Sequence, residues 1–129
     1  MFKRSILAAG FAMLPLAAAV AQTAAPAMPD PAAAYVSARN QLGVLTYCQE
    51  QGHIGAEPVE IQTKLLAMLP PGDTAAGDEA EAKGKAGTVS GMGVETTLAD
   101  GAAAQKTTEA DLCKQMGDMI TQLGAQLPK

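Results

Sequence analysis

Apolar residues recur every three or four positions over three stretches of the chain, and this spacing places them on one face of an α-helix. The first stretch has its apolar positions at Tyr35, Ala38, Leu42, Leu45 and Cys48. The polar residues outside or beside that stripe are Ser37, Arg39, Asn40 and Gln41. Asp30-Pro31 is typical of a helix start, and Gly52 suits the left-handed position after a helix end. The pattern predicts a first helix over about residues 31–51, with Cys48 on its buried face in the last turn.

A second helix is predicted to begin at Pro58 and to end before Pro70-Pro71-Gly72, since proline and glycine stop a helix. Its apolar positions are Ile61, Leu65, Met68 and Leu69, with Val59 and Leu66 beside them. Glu57 and Glu60 fall in the first turn, where negative charge suits the helix dipole. The link from the first helix is short, so we expect the two helices to be antiparallel neighbours.

The last stretch has the most regular helical pattern in the chain. Thr108 and Asp111 are spaced as in a capping box, which marks a helix start. The apolar positions that follow are Leu112, Met116, Met119, Ile120, Leu123 and Leu127. We treat these six residues as the candidate contact stripe of the protein. Cys113 lies on the flank of this stripe, in the first turn.

The middle of the chain, residues 73–93, is rich in alanine, glycine and charge. Asp73 suits the N-cap of a short, exposed helix over residues 74–83, but each interior glycine costs roughly 1 kcal/mol. We expect a flexible excursion here, followed by a weak short helix from Thr97. No pair of strands is expected. The predicted fold class is all-α: a small antiparallel bundle of about three to four helices, stapled by one disulfide.

Residues 1–21 have the pattern of a secretory signal peptide, with Lys3 and Arg4 before an apolar run and small residues before a cleavage point after Ala21. Residues 22–29 are predicted to be a flexible leader, and residues 30–129 a single helical domain. The predicted location is periplasmic or secreted. Removal of two basic residues leaves seven against thirteen acidic ones, a net charge of −6. Such a charge argues against nucleic acid as a partner.

Two cysteines remain after export, Cys48 and Cys113. An even count in a small exported domain predicts a disulfide, and with two cysteines only one pairing exists. The bridge would close a loop of roughly 66 residues and stabilise the fold by roughly 4 kcal/mol in the chain-entropy model. The alternative is that both thiols stay free.

His53 is the only histidine and follows Cys48 by five residues. Catalysis by a Cys48–His53 pair needs a free thiol and a base within hydrogen-bond reach, which the export prediction disfavours. Met116 and Met119 are soft ligands for cuprous copper, but methionines on an apolar stripe usually fill the core. We therefore predict no catalytic, cofactor-binding or metal-binding residues and no small-molecule substrate. Because histidine changes its charge near pH ~6.5, His53 is a candidate pH sensor.

Four strings together resemble small exported bacterial helical proteins of the pore-forming, early-secreted-antigen-like family. They are "SARNQLGVLTYCQEQGHI", "IQTKLLAMLP", "GDEAEAKGKAG" and "TEADLCKQM". The resemblance covers nearly the whole of the chain that follows the predicted signal peptide, and it implies a helical, membrane-active protein. A second likeness is to periplasmic acid-stress chaperones, which are also small, helical, exported and built around one disulfide.

The sequence thus predicts a non-enzymatic exported protein that acts through contacts with a membrane or with other proteins. Oligomerisation is possible. The resemblance favours pore formation, and the alternatives are an acid-stress chaperone or a structural interaction protein.

Overall fold

The computed structural model describes residues 30–91 and 93–128, which form five helices and one two-stranded antiparallel sheet. The predicted signal peptide and leader, residues 1–29, lie outside the described residues. The elements are α1 (Pro31–Glu50), α2 (Glu57–Ala67), α3 (Thr74–Lys85), β1 (Thr88–Gly91), β2 (Val94–Thr97), α4 (Leu98–Ala104) and α5 (Glu109–Gly124). The prediction of an all-α bundle of about three to four helices is correct in that the described residues are mostly helical, but they form five helices, and the two-stranded sheet departs from an all-α fold.

The ends of α1 follow from its capping residues. Asp30 accepts a hydrogen bond from the amide of Ala32 at 2.9 Å and so caps the first turn. At the other end Gly52 has a φ of 75°, which glycine adopts without steric cost. Its amide donates to the carbonyl of Gln49, and the amide of His53 donates to the carbonyl of Cys48, both at 2.9 Å. This pair of bonds is a Schellman motif, and the predicted helix end is confirmed.

The later helix starts are also confirmed. Thr97 accepts from the amide of Asp100 at the start of α4, and Thr108 accepts from the amide of Asp111 at the start of α5, both at 3.1 Å. Asp73 caps α3 by accepting from the amide of Ala76 at 3.1 Å. In each case a side-chain oxygen satisfies an amide that has no partner inside its own helix.

The prediction of a flexible, exposed excursion over residues 73–93 is wrong, because α3 packs closely along α1. A Cβ atom placed on Gly43 of α1 would lie 2.1 Å from the carbonyl oxygen of Glu81. One placed on Gly84 of α3 would lie 2.3 Å from the carbonyl oxygen of Asn40. The glycines that weaken the isolated helix thus allow two helix backbones to touch, and the contact offsets their propensity cost.

The expectation that no strands pair is wrong as well. Thr88 of β1 lies opposite Thr97 of β2, and Gly91 lies opposite Val94, in an antiparallel hairpin. Gly93 in the turn has a φ of 77°, in the left-handed region. A glycine in this turn and β-branched residues in both strands are the hairpin signal in the sequence.

Asn40 joins three elements from a buried position. Its side chain is 2% exposed, although the apolar pattern placed it outside the stripe of α1. The Nδ2 group donates to the carbonyls of Ala80 and Thr88 at 2.9 and 3.0 Å, and Oδ1 accepts from the amide of Ser90 at 2.9 Å. A buried carboxamide is stable here because its donors and its acceptor all have partners. It fixes α3 and β1 against α1.

The predicted Cys48–Cys113 disulfide is confirmed. Both cysteines are fully buried, in a core cluster with Val44 and Leu98. Cys113 therefore belongs to the centre of the core and not to the flank where the apolar pattern placed it. Beside the bridge, the hydroxyl of Tyr47 donates to the carboxylate of Glu109 at 2.5 Å. The end of α1 is thus fastened to the first turn of α5 by one covalent and one polar link.

Candidate functional site

The candidate contact stripe on α5 is divided by the fold. Ile120 is 1% exposed, and Leu112 and Met116 are half-buried against the core cluster. Met119 and Leu123, in contrast, are 50% and 43% exposed. Sequence periodicity had placed all six residues of the stripe on one face. In the structure, that face is only partly turned toward the core, and one side of it is exposed to solvent.

Two glycines explain why the helix is turned in this way. A Cβ atom on Gly117 would lie 3.1 Å from Cγ2 of Ile54, and one on Gly124 would lie 2.6 Å from Cδ1 of Ile61. The buried row of α5 therefore runs through Cys113, Gly117, Ile120 and Gly124, at steps of four, three and four residues. A search for large apolar residues misses this row, since two of its members are glycines.

The outward turn of α5 leaves two large apolar side chains exposed in its C-terminal half. Met119 and Leu123 are four residues apart, so they are neighbours along the helix, and Leu127 follows just beyond the helix end at Gly124. Leu127 also lines a groove of about 450 Å³ between α2 and the end of α5. Met68 lines the same groove and is 62% exposed. We call these four residues the α2–α5 apolar surface.

Few charges border this surface. Lys64 lines the groove, and Lys114 forms an exposed ion pair with Asp118 at 2.7 Å on α5. The chemistry that the surface offers is therefore alkyl and thioether groups, with the ammonium of Lys64 at the groove. Such groups supply packing area and adaptable shape, not proton transfer.

A cluster of charged side chains lies between α1 and α3. Arg39 forms ion pairs with Asp78 and, at 2.8 Å, with Glu81. Glu81 also pairs with Lys85 at 2.8 Å. Burial raises the pKa of Glu81, but the hydrogen bonds from Lys85 and Arg39 outweigh it, so this pKa lies below its ordinary value. The cluster joins two helices and thus has a structural role.

His53 lies just beyond the end of α1, with its side chain half-exposed. It lines a shallow pocket with three charged residues, Glu57 of α2 and Lys114 and Asp118 of α5. Because Cys48 is bonded to Cys113, it has no free thiol for a nucleophilic pair with His53. The structure therefore places the candidate pH sensor beside the disulfide-linked helix end, among groups of both charges.

Two further properties of the described residues bear on function. In residues 30–91 and 93–128, no three histidine, cysteine, aspartate or glutamate side chains lie close enough together to hold a metal ion. Within the same ranges, every helix is too short or too polar to cross a bilayer.

Comparison of the chain with protein-family models, with curated proteins and with solved structures finds no match. The residues themselves therefore carry the functional inference.

Proposed function

We propose that this is a non-enzymatic, exported helical protein that binds apolar segments of other polypeptides through the α2–α5 apolar surface. The observation that carries the proposal is the exposure of Met68, Met119 and Leu123. The buried core of this protein is small, and yet these three large apolar side chains are left outside it. Large apolar side chains that a small protein leaves exposed, with Met68 beside an apolar groove, are typical of interaction sites. Methionine adapts its shape to varied partners, which suits a surface that accepts many sequences.

Acidification is the proposed trigger, as in an acid-stress chaperone. Protonation of carboxylates removes the negative charge that the chain carries at neutral pH, a formal −4 for the whole sequence. It also weakens the pairs of Glu81 with Arg39 and Lys85 across and along the α1–α3 contact. Loss of these pairs would weaken the packing of α3 on α1. The loosened helices would then expose apolar side chains in addition to those of the α2–α5 apolar surface.

Export is part of the proposal. The Cys48–Cys113 bridge is fully buried, and disulfides of this structural kind form in oxidising compartments. Intact-mass measurement of the protein recovered from the periplasm of an expressing cell tests the cleavage. The expected result is loss of residues 1–21 and no reaction of either cysteine with an alkylating reagent, and an unprocessed chain or an alkylated cysteine contradicts it.

The test of binding is suppression of aggregation. A client enzyme unfolded in guanidinium chloride is diluted into buffer at pH 7 and at pH 3, and light scattering is followed with and without the protein. We expect suppression that is stronger at pH 3. The Met119→Ser/Leu123→Ser variant should lose most of it while its stability falls by only about 1 kcal/mol, because both side chains are half-exposed and serine is slightly less favourable in a helix.

Val94→Thr is the matched control, since Val94 is 65% exposed but lies on the hairpin. It should suppress aggregation as the wild type does. Equal activity of the double variant and the wild type at both pH values would overturn the proposed surface.

A second candidate is the membrane activity that the family resemblance implies. Met119 and Leu123 on one side and the ion pair of Lys114 and Asp118 on another give α5 an apolar and a charged side, as in helices that lie at a bilayer surface. Release of an encapsulated dye from vesicles of phosphatidylcholine and phosphatidylglycerol tests it. Release that the double variant lacks, together with no effect on the aggregation of the client enzyme, would favour this candidate over polypeptide binding.

A further inference from the structure

The outer edge of β2 carries backbone groups that the fold leaves open. The amide of Leu98 donates to the carbonyl of Gly87 at 2.9 Å, directly beyond the last residue pair of the hairpin. In an antiparallel ladder, hydrogen-bonded pairs alternate with non-bonded pairs. Leu98 and Gly87 form a hydrogen-bonded pair, so the pairs Thr97–Thr88 and Glu95–Ser90 are non-bonded ones. The amides of Glu95 and Thr97 and the carbonyl of Glu95 therefore point away from β1.

The corresponding edge of β1 is already covered. Its outward groups include the carbonyl of Thr88 and the amide of Ser90, and Asn40 donates to the first at 3.0 Å and accepts from the second at 2.9 Å. The carboxamide thus takes the place of a neighbouring strand. Among residues 30–91 and 93–128, no group hydrogen-bonds to the amides of Glu95 and Thr97. β2 is exposed along its whole length.

A cleft of about 270 Å³ opens beside this edge, on the face of the hairpin that carries Thr96. Its apolar residues are Val89, Leu98, Leu112 and Met116, and its polar residues include Thr96, Thr97, Gln105 and Gln115. None of the lining residues is charged. The cleft is thus large enough to take one large apolar side chain.

The opposite face of the hairpin carries Glu95, which lies near the charged groups of α3. Lys83 pairs with Glu95 at 2.6 Å and with Glu79 at 3.4 Å, so one ammonium faces two carboxylates. A strand added to β2 would alternate its side chains between the two faces. The residue beside Thr96 would face the cleft, and the residue beside Glu95 would face the carboxylates.

The geometry points to a strand-addition site in which an extended segment of another protein pairs with the outer edge of β2. The segment places an uncharged apolar side chain in the cleft and a lysine or arginine beside Glu95. A second copy of this chain fits less well, because its own β2 would bring another glutamate to an edge that is already acidic. This site lies on a different surface from the α2–α5 apolar surface and recognises backbone as well as side chains.

Fluorescence anisotropy with a short labelled peptide of alternating leucine and lysine tests the site. The matched control is the same peptide with N-methyl groups on the amides that would face β2, which keeps all side chains and charges. We expect the methylated peptide to bind at least tenfold more weakly, about 1.4 kcal/mol. Amide signals of Glu95 and Thr97 should shift on binding in NMR spectra of the wild-type protein.

Two pairs of variants separate the edge from the cleft. Glu95→Pro removes an amide that does not bond to β1, a position where an edge strand tolerates proline, and Glu95→Thr removes only the charge. Gly101→Leu fills the cleft, whereas a Cβ on Gly101 is only in ordinary contact, 3.7 Å from Cδ1 of Leu112, so Gly101→Ala is its control. Glu95→Pro and Gly101→Leu should each bind at least tenfold more weakly than their controls.

Several results would overturn the site. These are equal binding of the methylated and unmethylated peptides, equal binding of Glu95→Pro and Glu95→Thr, or NMR shifts confined to α2 and α5. The last result would instead leave the α2–α5 apolar surface as the place where peptides bind. Dimerisation through β2 without the peptide would likewise replace a foreign segment with a second copy.

Discussion

The α1–α3 contact and the α2–α5 contact both depend on glycine, but they differ in the side chains that surround the glycines. Between α1 and α3, glycines at positions 43 and 84 let the two backbones touch, and Asn40 and Arg39 supply the polar links. In α5, glycines face α2 and the preceding loop, whereas large apolar side chains such as Met119 and Leu123 are left half in solvent. The small-residue face is therefore buried in both contacts.

The comparison teaches that the most hydrophobic helix face is not always the buried one. Close backbone approach gains dispersion contacts over many atoms, and it requires glycine wherever a Cβ would collide. In α5 this preference turns a row of large residues outward. Apolar side chains that stay exposed do not contribute their burial free energy to folding. They can contribute it when a partner covers them, which is the physical basis of the proposed binding function.

The largest expected effect comes from the disulfide, which joins α1 of the first contact to α5 of the second. Replacing Cys48 and Cys113 by alanine removes a cross-link between residues 65 positions apart. We expect the free energy of unfolding to fall by about 4 kcal/mol, as measured by urea denaturation. Hydrogen exchange should increase more in α5 than in α3, because α3 remains fastened to α1 by Asn40 and the close glycine contact. Equal loss of protection in both helices would contradict the division of the molecule into two contacts.

A smaller effect is expected from a single methyl group in the α1–α3 contact. In Gly43→Ala the new Cβ would collide with the carbonyl of Glu81, and backbone cannot rotate away as a side chain can. We expect a loss of about 3 kcal/mol in the free energy of unfolding. Gly55→Ala is the control, because nothing lies within 4 Å of its added Cβ. It should change the stability by no more than about 0.5 kcal/mol, and similar losses in the two variants would disprove the close approach.

The smallest effect concerns the charges of the same contact. Glu81→Gln should lower the free energy of unfolding by about 1 kcal/mol at pH 7, since it weakens bonds with Arg39 and Lys85. The folded-state pKa of Glu81 lies below its ordinary value of 4.5. Its contribution is therefore complete above that value and is lost as the pH falls through the folded-state pKa.

Urea denaturation of wild type and variant between pH 7 and pH 2 tests this, and the difference between them should vanish at the acid end. Glu79→Gln is the control, since Glu79 pairs with Lys83 at the longer distance of 3.4 Å and is exposed. It should show little difference at any pH. A difference for Glu81→Gln that persists at pH 2 would assign its effect to packing.

Much of the fold could be predicted from local chemistry. Asp30, Thr97 and Thr108 mark helix starts, and Gly52 marks a helix end, because capping satisfies backbone groups within a few residues along the chain. The Cys48–Cys113 pairing followed from the count of two cysteines. The hairpin also had a local signal in its turn glycine and β-branched residues, but the surrounding alanine and glycine suggested a loop instead.

The candidate site was harder to predict. The sequence identified the six residues of the contact stripe as one apolar face, and only the tertiary structure decided that Ile120 is buried while Met119 and Leu123 are exposed. The rotation of α5 depends on Gly117 and Gly124 meeting Ile54 and Ile61, residues more than 60 positions away.

The sequence by itself thus determined where the helices begin and end, how the cysteines pair and which residues are apolar. The tertiary structure decided that Asn40 is buried, that α3 packs along α1, and that β2 keeps an open edge. The physical reason is range: capping and periodicity act within a few residues of one helix. Burial depends on which small residues of one helix meet the backbone of another, and that match is made only when distant parts of the chain come together.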